Sequence, residues 1–171
     1  MVHAPYIGAL LLSVVACVTD VRSRRIPNVL TFSGALIALV FHGLTNGLSG
    51  LGFAAAGLLV GLGVFFVPFA LGGMGGGDVK LMAALGAWCG PFTVLWLAAY
   101  TGIAGALVAL GVSAVRGYLP TALRNMWLLF THWRVAGLRP LEEVSLAGSN
   151  GPRLAYAVPI LIGTVVTVWL R

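Results

Sequence analysis

The sequence predicts an all-α polytopic membrane protein, a bundle of six transmembrane helices with a glycine-rich loop before the fourth. Three observations carry that expectation. Hydrophobic residues make up 60% of the 171 positions and charged residues 8%, with a mean hydropathy of +1.03, which leaves too little polar surface to cover a soluble domain. The apolar residues gather into five long runs, each able to cross most of a bilayer. Nine of the ten basic residues fall in alternate connections between spans. At 17.7 kDa the chain reads as one membrane-embedded domain over residues 1–171, with a cytoplasmic or interfacial segment at 116–153 and no second soluble domain.

The first run, Ala4 to Thr19, has no basic segment before it and is followed by Arg22, Arg24 and Arg25. Val14-Val15-Ala16-Cys17 is therefore read as part of a retained helix and not as a lipoprotein processing site. Val29 to Leu44 and Gly50 to Leu71 supply the second and third spans. Leu81 to Val115 would form a helix of about 52 Å at ~1.5 Å per residue, too long for one crossing. Cys89-Gly90-Pro91 divides it into a short fourth span and a fifth. Leu154 to Leu170 is the sixth.

Charge placement orients the bundle. With the N-terminus outside, the connections after spans one, three and five are cytoplasmic and hold Arg22, Arg24, Arg25, Lys80, Arg116, Arg124, Arg134, Arg139 and Arg153. His42 to Ser49 and Gly90 to Phe92, the outer connections, contain no Lys, Arg, Asp or Glu. The formal net charge of +6 thus reflects membrane orientation and does not point to a nucleic-acid partner. In the long polar segment, Leu119, Leu123, Met126, Trp127 and Phe130 follow helical spacing beside Arg116 and Arg124. That pattern suits a helix lying against membrane lipid, its arginines toward anionic headgroups, or a docking surface.

The chain contains two aspartates, Asp20 and Asp78, each where an apolar run meets a polar segment. A carboxylate at the edge of hydrocarbon is costly without compensation. The predicted topology puts both on one membrane border. Two adjacent carboxyls share a proton, because like charges that close do not both ionise readily, and such a pair supplies a base and an acid together. Gly72, Gly73, Gly75, Gly76 and Gly77 precede Asp78 and leave backbone uncovered, able to take φ > 0 and to admit a substrate strand. Taken singly, Asp78 reads equally as a helix cap and Asp20 as a charge partner at a helix end. Confinement of both to one border favours catalysis. The rival reading is a non-enzymatic proton-relay or transport subunit, whose carboxylates would be distributed through the membrane depth.

Asp20-x5-Ile26-Pro27-Asn28 together with Gly75-Gly76-Gly77-Asp78-Val79-Lys80-Leu81 resembles the paired motifs of type IV prepilin peptidases, the Gly-x-Gly-Asp intramembrane aspartyl proteases. The compact length is similar to the branch serving Tad/Flp pili. The resemblance implies a bacterial inner-membrane endopeptidase with Asp20 and Asp78 as its dyad and its site at the cytoplasmic face. Its implied substrate is a prepilin cut after the glycine of a short basic leader. Larger members carry an insertion with paired CxxC motifs and also N-methylate the pilin; nothing here matches that insertion, so trimming without methylation is expected. Arg153-Leu154-Ala155-Tyr156-Ala157-Val158-Pro159 is similar to a Pro-Tyr-Ala stretch of the branch, with Ala155 in place of the proline, and no catalytic role is assigned to it.

Supporting residues have structural readings, some with a functional one beside them. Lys80 stabilises ionised Asp78 or orients leader carbonyls, or else snorkels to the interface. Asn28 caps the second helix and Pro27 pre-sets its first turn. Glu142 and Glu143 attract a basic leader or are simply solvated. Cys17 and Cys89 form no CxxC and have no histidine pair nearby, and His3, His42 and His132 are widely separated, so neither a metal nor another cofactor is expected.

Overall fold

The computed structural model describes residues 4–117, 119–121, 124, 127–128, 131 and 155–170. They form α1 (Ala4–Ser23), α2 (Asn28–Ala70), α3 (Gly76–Cys89), α4 (Pro91–Val115) and α5 (Ala157–Trp169). The interfacial segment expected over 116–153, with Glu142, Glu143 and His132, lies largely outside the described residues. Among those described, α1, α2 and α4 are long and apolar enough to cross a membrane. The all-helical membrane architecture follows the sequence expectation.

The buried face of α1 is Ala9, Leu12, Ser13, Ala16 and Asp20, steps of three and four that make one stripe down a helix of 3.6 residues per turn. Asp20 therefore points inward as the last member of a packing stripe. Ile7, Leu11, Val14, Val18 and Val21 occupy the exposed side, as expected of a lipid-facing surface. Arg24 ends the helix at φ 54, with its N–H on the Asp20 carbonyl at 2.8 Å, a left-handed cap in a position that usually favours glycine. Ser23 Oγ reinforces the turn by donating to the Thr19 carbonyl at 2.7 Å.

α2 is 43 residues long but is not one rod: Gly47, at φ 62 and ψ −145, interrupts its helical geometry. An uninterrupted helix would extend about 64 Å at ~1.5 Å per residue, twice a hydrocarbon core. The chain turns back instead, so that Gly43 lies within reach of the Leu51 side chain and Gly50 packs on the His42 carbonyl. The two arms correspond to the second and third predicted spans, and Gly47 falls inside the predicted connection. Both arms pack on α3.

α3 is the central element. Apart from Lys80, every residue from Asp78 to Cys89 is buried. Its 14 residues are short for a crossing on their own. Gly57 and Gly61, one turn apart on the second arm of α2, let it approach α3 at Gly86 and at Met82–Ala83, a small-residue seam that brings membrane helices into backbone contact. At the end of the bundle remote from both aspartates, buried His42 lies with Nε2 3.1 Å from the Trp88 carbonyl oxygen, packed on Phe41 and Phe53. Gly90 at φ 84, followed by Pro91 at the first turn of α4, makes the break expected at Cys89-Gly90-Pro91. α5 then runs antiparallel to α4, with Tyr156 against Gly105 and Thr101 against Gly163. It fills the space between α4 and α1.

Candidate active site

Asp20 and Asp78 meet at one end of the bundle. They line the same cavity, of about 410 Å³, with Arg24, Arg25, Ile26, Pro27, Asn28, Gly75 and Gly77. Each aspartate is only 8% exposed, and the two carboxylates are close enough for their charges to interact. The cavity is of the size of small-molecule and peptide-side-chain sites, about 300–1,000 Å³. One carboxyl comes from the last turn of α1 and the other from the first turn of α3.

The local backbone around Asp78 differs from the sequence expectation in a specific way. Gly75 is the N-cap of α3, at φ −79 and ψ 146, and Gly76 and Gly77 are already helical. Of the glycines from 72 to 77, only Gly72 takes a positive φ, 75°. The reason for Gly75, Gly76 and Gly77 is therefore space and not left-handed backbone. A Cβ on Gly75 would stand 3.1 Å from Asp78 Oδ2, one on Gly77 3.3 Å from Ile26 Cβ, and one on Gly76 3.5 Å from the Phe69 ring. Asp78 sits in the first turn of α3, where an anion is favoured, and its own N–H donates to the Gly75 carbonyl at 3.1 Å.

Pro27 and Asn28 line the cavity and Lys80 is joined to Asn28, in roles that differ from the expected ones. Pro27 is itself the N-cap of α2 and Asn28 the first helical residue, with no side-chain capping bond at that terminus. Proline suits the position because its carbonyl starts the ladder, accepting from Leu30 N–H at 3.1 Å, while its missing N–H would have had no helical partner. The Asn28 side chain is free to act elsewhere, and its Oδ1 accepts from Lys80 Nζ at 2.9 Å. The same ammonium lies 5.7 Å above the Phe32 ring. Lys80 thus ties α3 to the start of α2 through Asn28, which itself lines the cavity.

The segment just before and at the start of α5, given no role from the sequence, enters the site. Ala157 N–H donates to Asp20 Oδ2 at 3.3 Å, across 137 residues, and Tyr156 directly precedes it, its ring against Phe65. A backbone donor leaves no side-chain signal. Only the Tyr156-Ala157 dipeptide at the foot of an apolar run hinted at it. No group of three or more His, Cys, Asp or Glu side chains that could hold a metal occurs among the described residues.

A family model described as the type IV leader peptidase family matches residues 7–110, a stretch that contains both aspartates and ends before α5. The chain is 36% identical over 102 residues to the prepilin leader peptidase/N-methyltransferase of Escherichia coli (strain K12), covering 54% of this chain and 45% of that protein. It thus spans less than half the length of that relative. No solved structure matches.

Proposed function

Because the chain belongs to the type IV leader peptidase family, we propose that it is an intramembrane aspartyl endopeptidase that removes the leader from a type IV prepilin of the Tad/Flp kind, cutting after a glycine. The observation that carries the reading is the pair of nearly buried carboxyls on one cavity, Asp20 from α1 and Asp78 from α3. Their position at one end of the bundle favours catalysis over proton relay, which needs groups spread along a transmembrane path. With the basic loops inside, that end faces the cytoplasm, and the membrane is the bacterial inner membrane.

In this reading the ionised carboxyl takes a proton from water as the oxygen attacks the scissile carbonyl, and the protonated partner donates to the carbonyl oxygen. Collapse of the resulting gem-diol returns a proton to the leaving amine and restores the shared-proton state. Arg24 and Arg25 line the cavity and provide cationic surface beside it, so the leader's basic residues are accommodated away from that wall. Glu142 and Glu143 are the remaining acidic groups of the chain and are proposed as the leader's counter-charges.

Purified protein in detergent, incubated with a glycine-leader prepilin, tests this directly. Release of the leader by wild type, in the presence of strong chelator, and its loss in Asp20→Asn and Asp78→Asn are the expected results. An intact precursor with correctly inserted wild-type enzyme overturns the assignment.

A further inference from the structure

Asp20 is poorly placed to be an anion by α1 alone. It lies in the last turn of that helix, and its own carbonyl accepts the Arg24 N–H. The C-terminal end of a helix carries partial negative charge and disfavours a carboxylate. Asp78 is in the opposite situation, in the first turn of α3, where the helix dipole favours a carboxylate. The compensation for Asp20 comes from another element. Ala157 is the first residue of α5, so its N–H has no partner within the helix, and it points at Asp20 Oδ2 in a buried bond of 3.3 Å.

We infer that the Tyr156-Ala157 junction is a third component of the active site, in which the Ala157 N–H positions the Asp20 carboxylate and holds it for catalysis. The inference rests on the peptidase reading above, but it concerns residues beyond the stretch matched by the family model. The donor is itself fixed. Tyr156 packs edge-on against Phe65, with ring centroids 6.4 Å apart, and its hydroxyl meets Gly105 on α4, where a Cβ would stand 2.9 Å away. Ala157 is completely buried. One wall of Tyr156 contacts with α2 and α4 thereby sets the position of a backbone N–H on α1's carboxyl. Both carboxyls of the dyad then lie at the N-terminal end of a helix, Asp78 in the first turn of its own and Asp20 against that of α5.

Single-atom replacement isolates the donor. An α-hydroxy acid introduced at 157 by nonsense suppression turns that amide into an ester, removing the N–H while keeping the methyl group and the carbonyl. The same replacement at Val158 removes an N–H that instead bonds the Ala155 carbonyl at 3.1 Å. In the full chain, assayed with a glycine-leader prepilin, the 157 ester is expected to lower kcat about 10- to 100-fold with KM within about twofold, because a bond to a charged group in a buried site is lost. The 158 ester should stay within about threefold of wild type. Equal losses in both esters assign a merely structural role to the helix start and overturn the inference, as does a 157 ester that cuts at the wild-type rate. Failure of wild type to cut, or cutting by Asp20→Asn, refutes the peptidase reading itself and is read separately.

Discussion

Lys80 Nζ donates to Asn28 Oδ1 at 2.9 Å, joining two residues 52 positions apart whose motifs are read as the two halves of the site. Each is exposed, so the bond holds α2 and α3 in register more than it stabilises the fold. Exposed pairs contribute roughly 0–1 kcal/mol. Lys80→Met and Asn28→Ala are expected to lower cleavage a few-fold each. A double variant no worse than either single one, measured as kcat/KM, would establish the coupling. Strictly additive losses would show that the two residues act separately.

Replacing either aspartate should remove activity without removing the protein from the membrane. Asp20→Asn and Asp78→Asn each leave a pair unable to exchange one proton between two carboxyls, and combining them should add little, since groups acting as one unit are non-additive. Asp→Glu moves the carboxyl by about 1 Å, enough for on the order of 100-fold. For wild type, kcat/KM should be bell-shaped in pH, because the pair is inactive with both carboxyls protonated and with both ionised. A near-wild-type rate in either Asn variant, at equal membrane level, removes that residue from the mechanism.

Gly75→Ala tests the spatial reason for the glycines. The new methyl would press on Asp78 Oδ2 at 3.1 Å, while the extended φ of −79 at Gly75 suits alanine without strain. Folding should be retained and kcat should fall about 10- to 100-fold. Gly72→Ala is the contrast, since its φ of 75° disfavours any side chain and should lower the thermal midpoint instead.

Gly86→Leu should act on the fold before the chemistry. Even a Cβ at Gly86 runs into the Gly57 carbonyl, so the larger side chain drives the second arm of α2 away from α3. Overpacking of this kind is worth about 1–3 kcal/mol or more, read as a lower thermal midpoint in detergent. Gly63→Leu, with open space around its Cβ position, should be near neutral.

Orientation is testable with reporter fusions. Gly47, the turn between the arms of α2, should report outside the cytoplasm, and Ser145, among five of the arginines, inside. A reporter at Ser145 that behaves as periplasmic reverses the assigned face of the site.

Hydropathy and breakers made the helices legible: each of the six predicted spans has a helix among its described residues, the last beginning only at Ala157, and the breaks at Gly47 and Cys89-Gly90-Pro91 fall where the composition placed them. The convergence of Asp20 and Asp78 was legible as well, because an even number of crossings returns the chain to one border. The roles of their neighbours were not. Asn28 reads as a cap from its type and position, but the backbone starts α2 one residue earlier at Pro27 and releases the amide to Lys80. Gly76 and Gly77 read as loop from composition, yet helix packing against Phe69 and Ile26 selects for absent side chains inside a helix. Ala157 gave no side-chain signal beyond its place in the Tyr156-Ala157 dipeptide, since the group that reaches Asp20 is one that nearly every residue possesses.

The separation of 137 residues between Asp20 and Ala157 sets an order of assembly. In chain order the helices that carry both aspartates precede α5. A chain lacking α5 would therefore hold both carboxyls with Asp20 still without its backbone partner, and under the proposed function the site is complete only when α5 docks between α1 and α4.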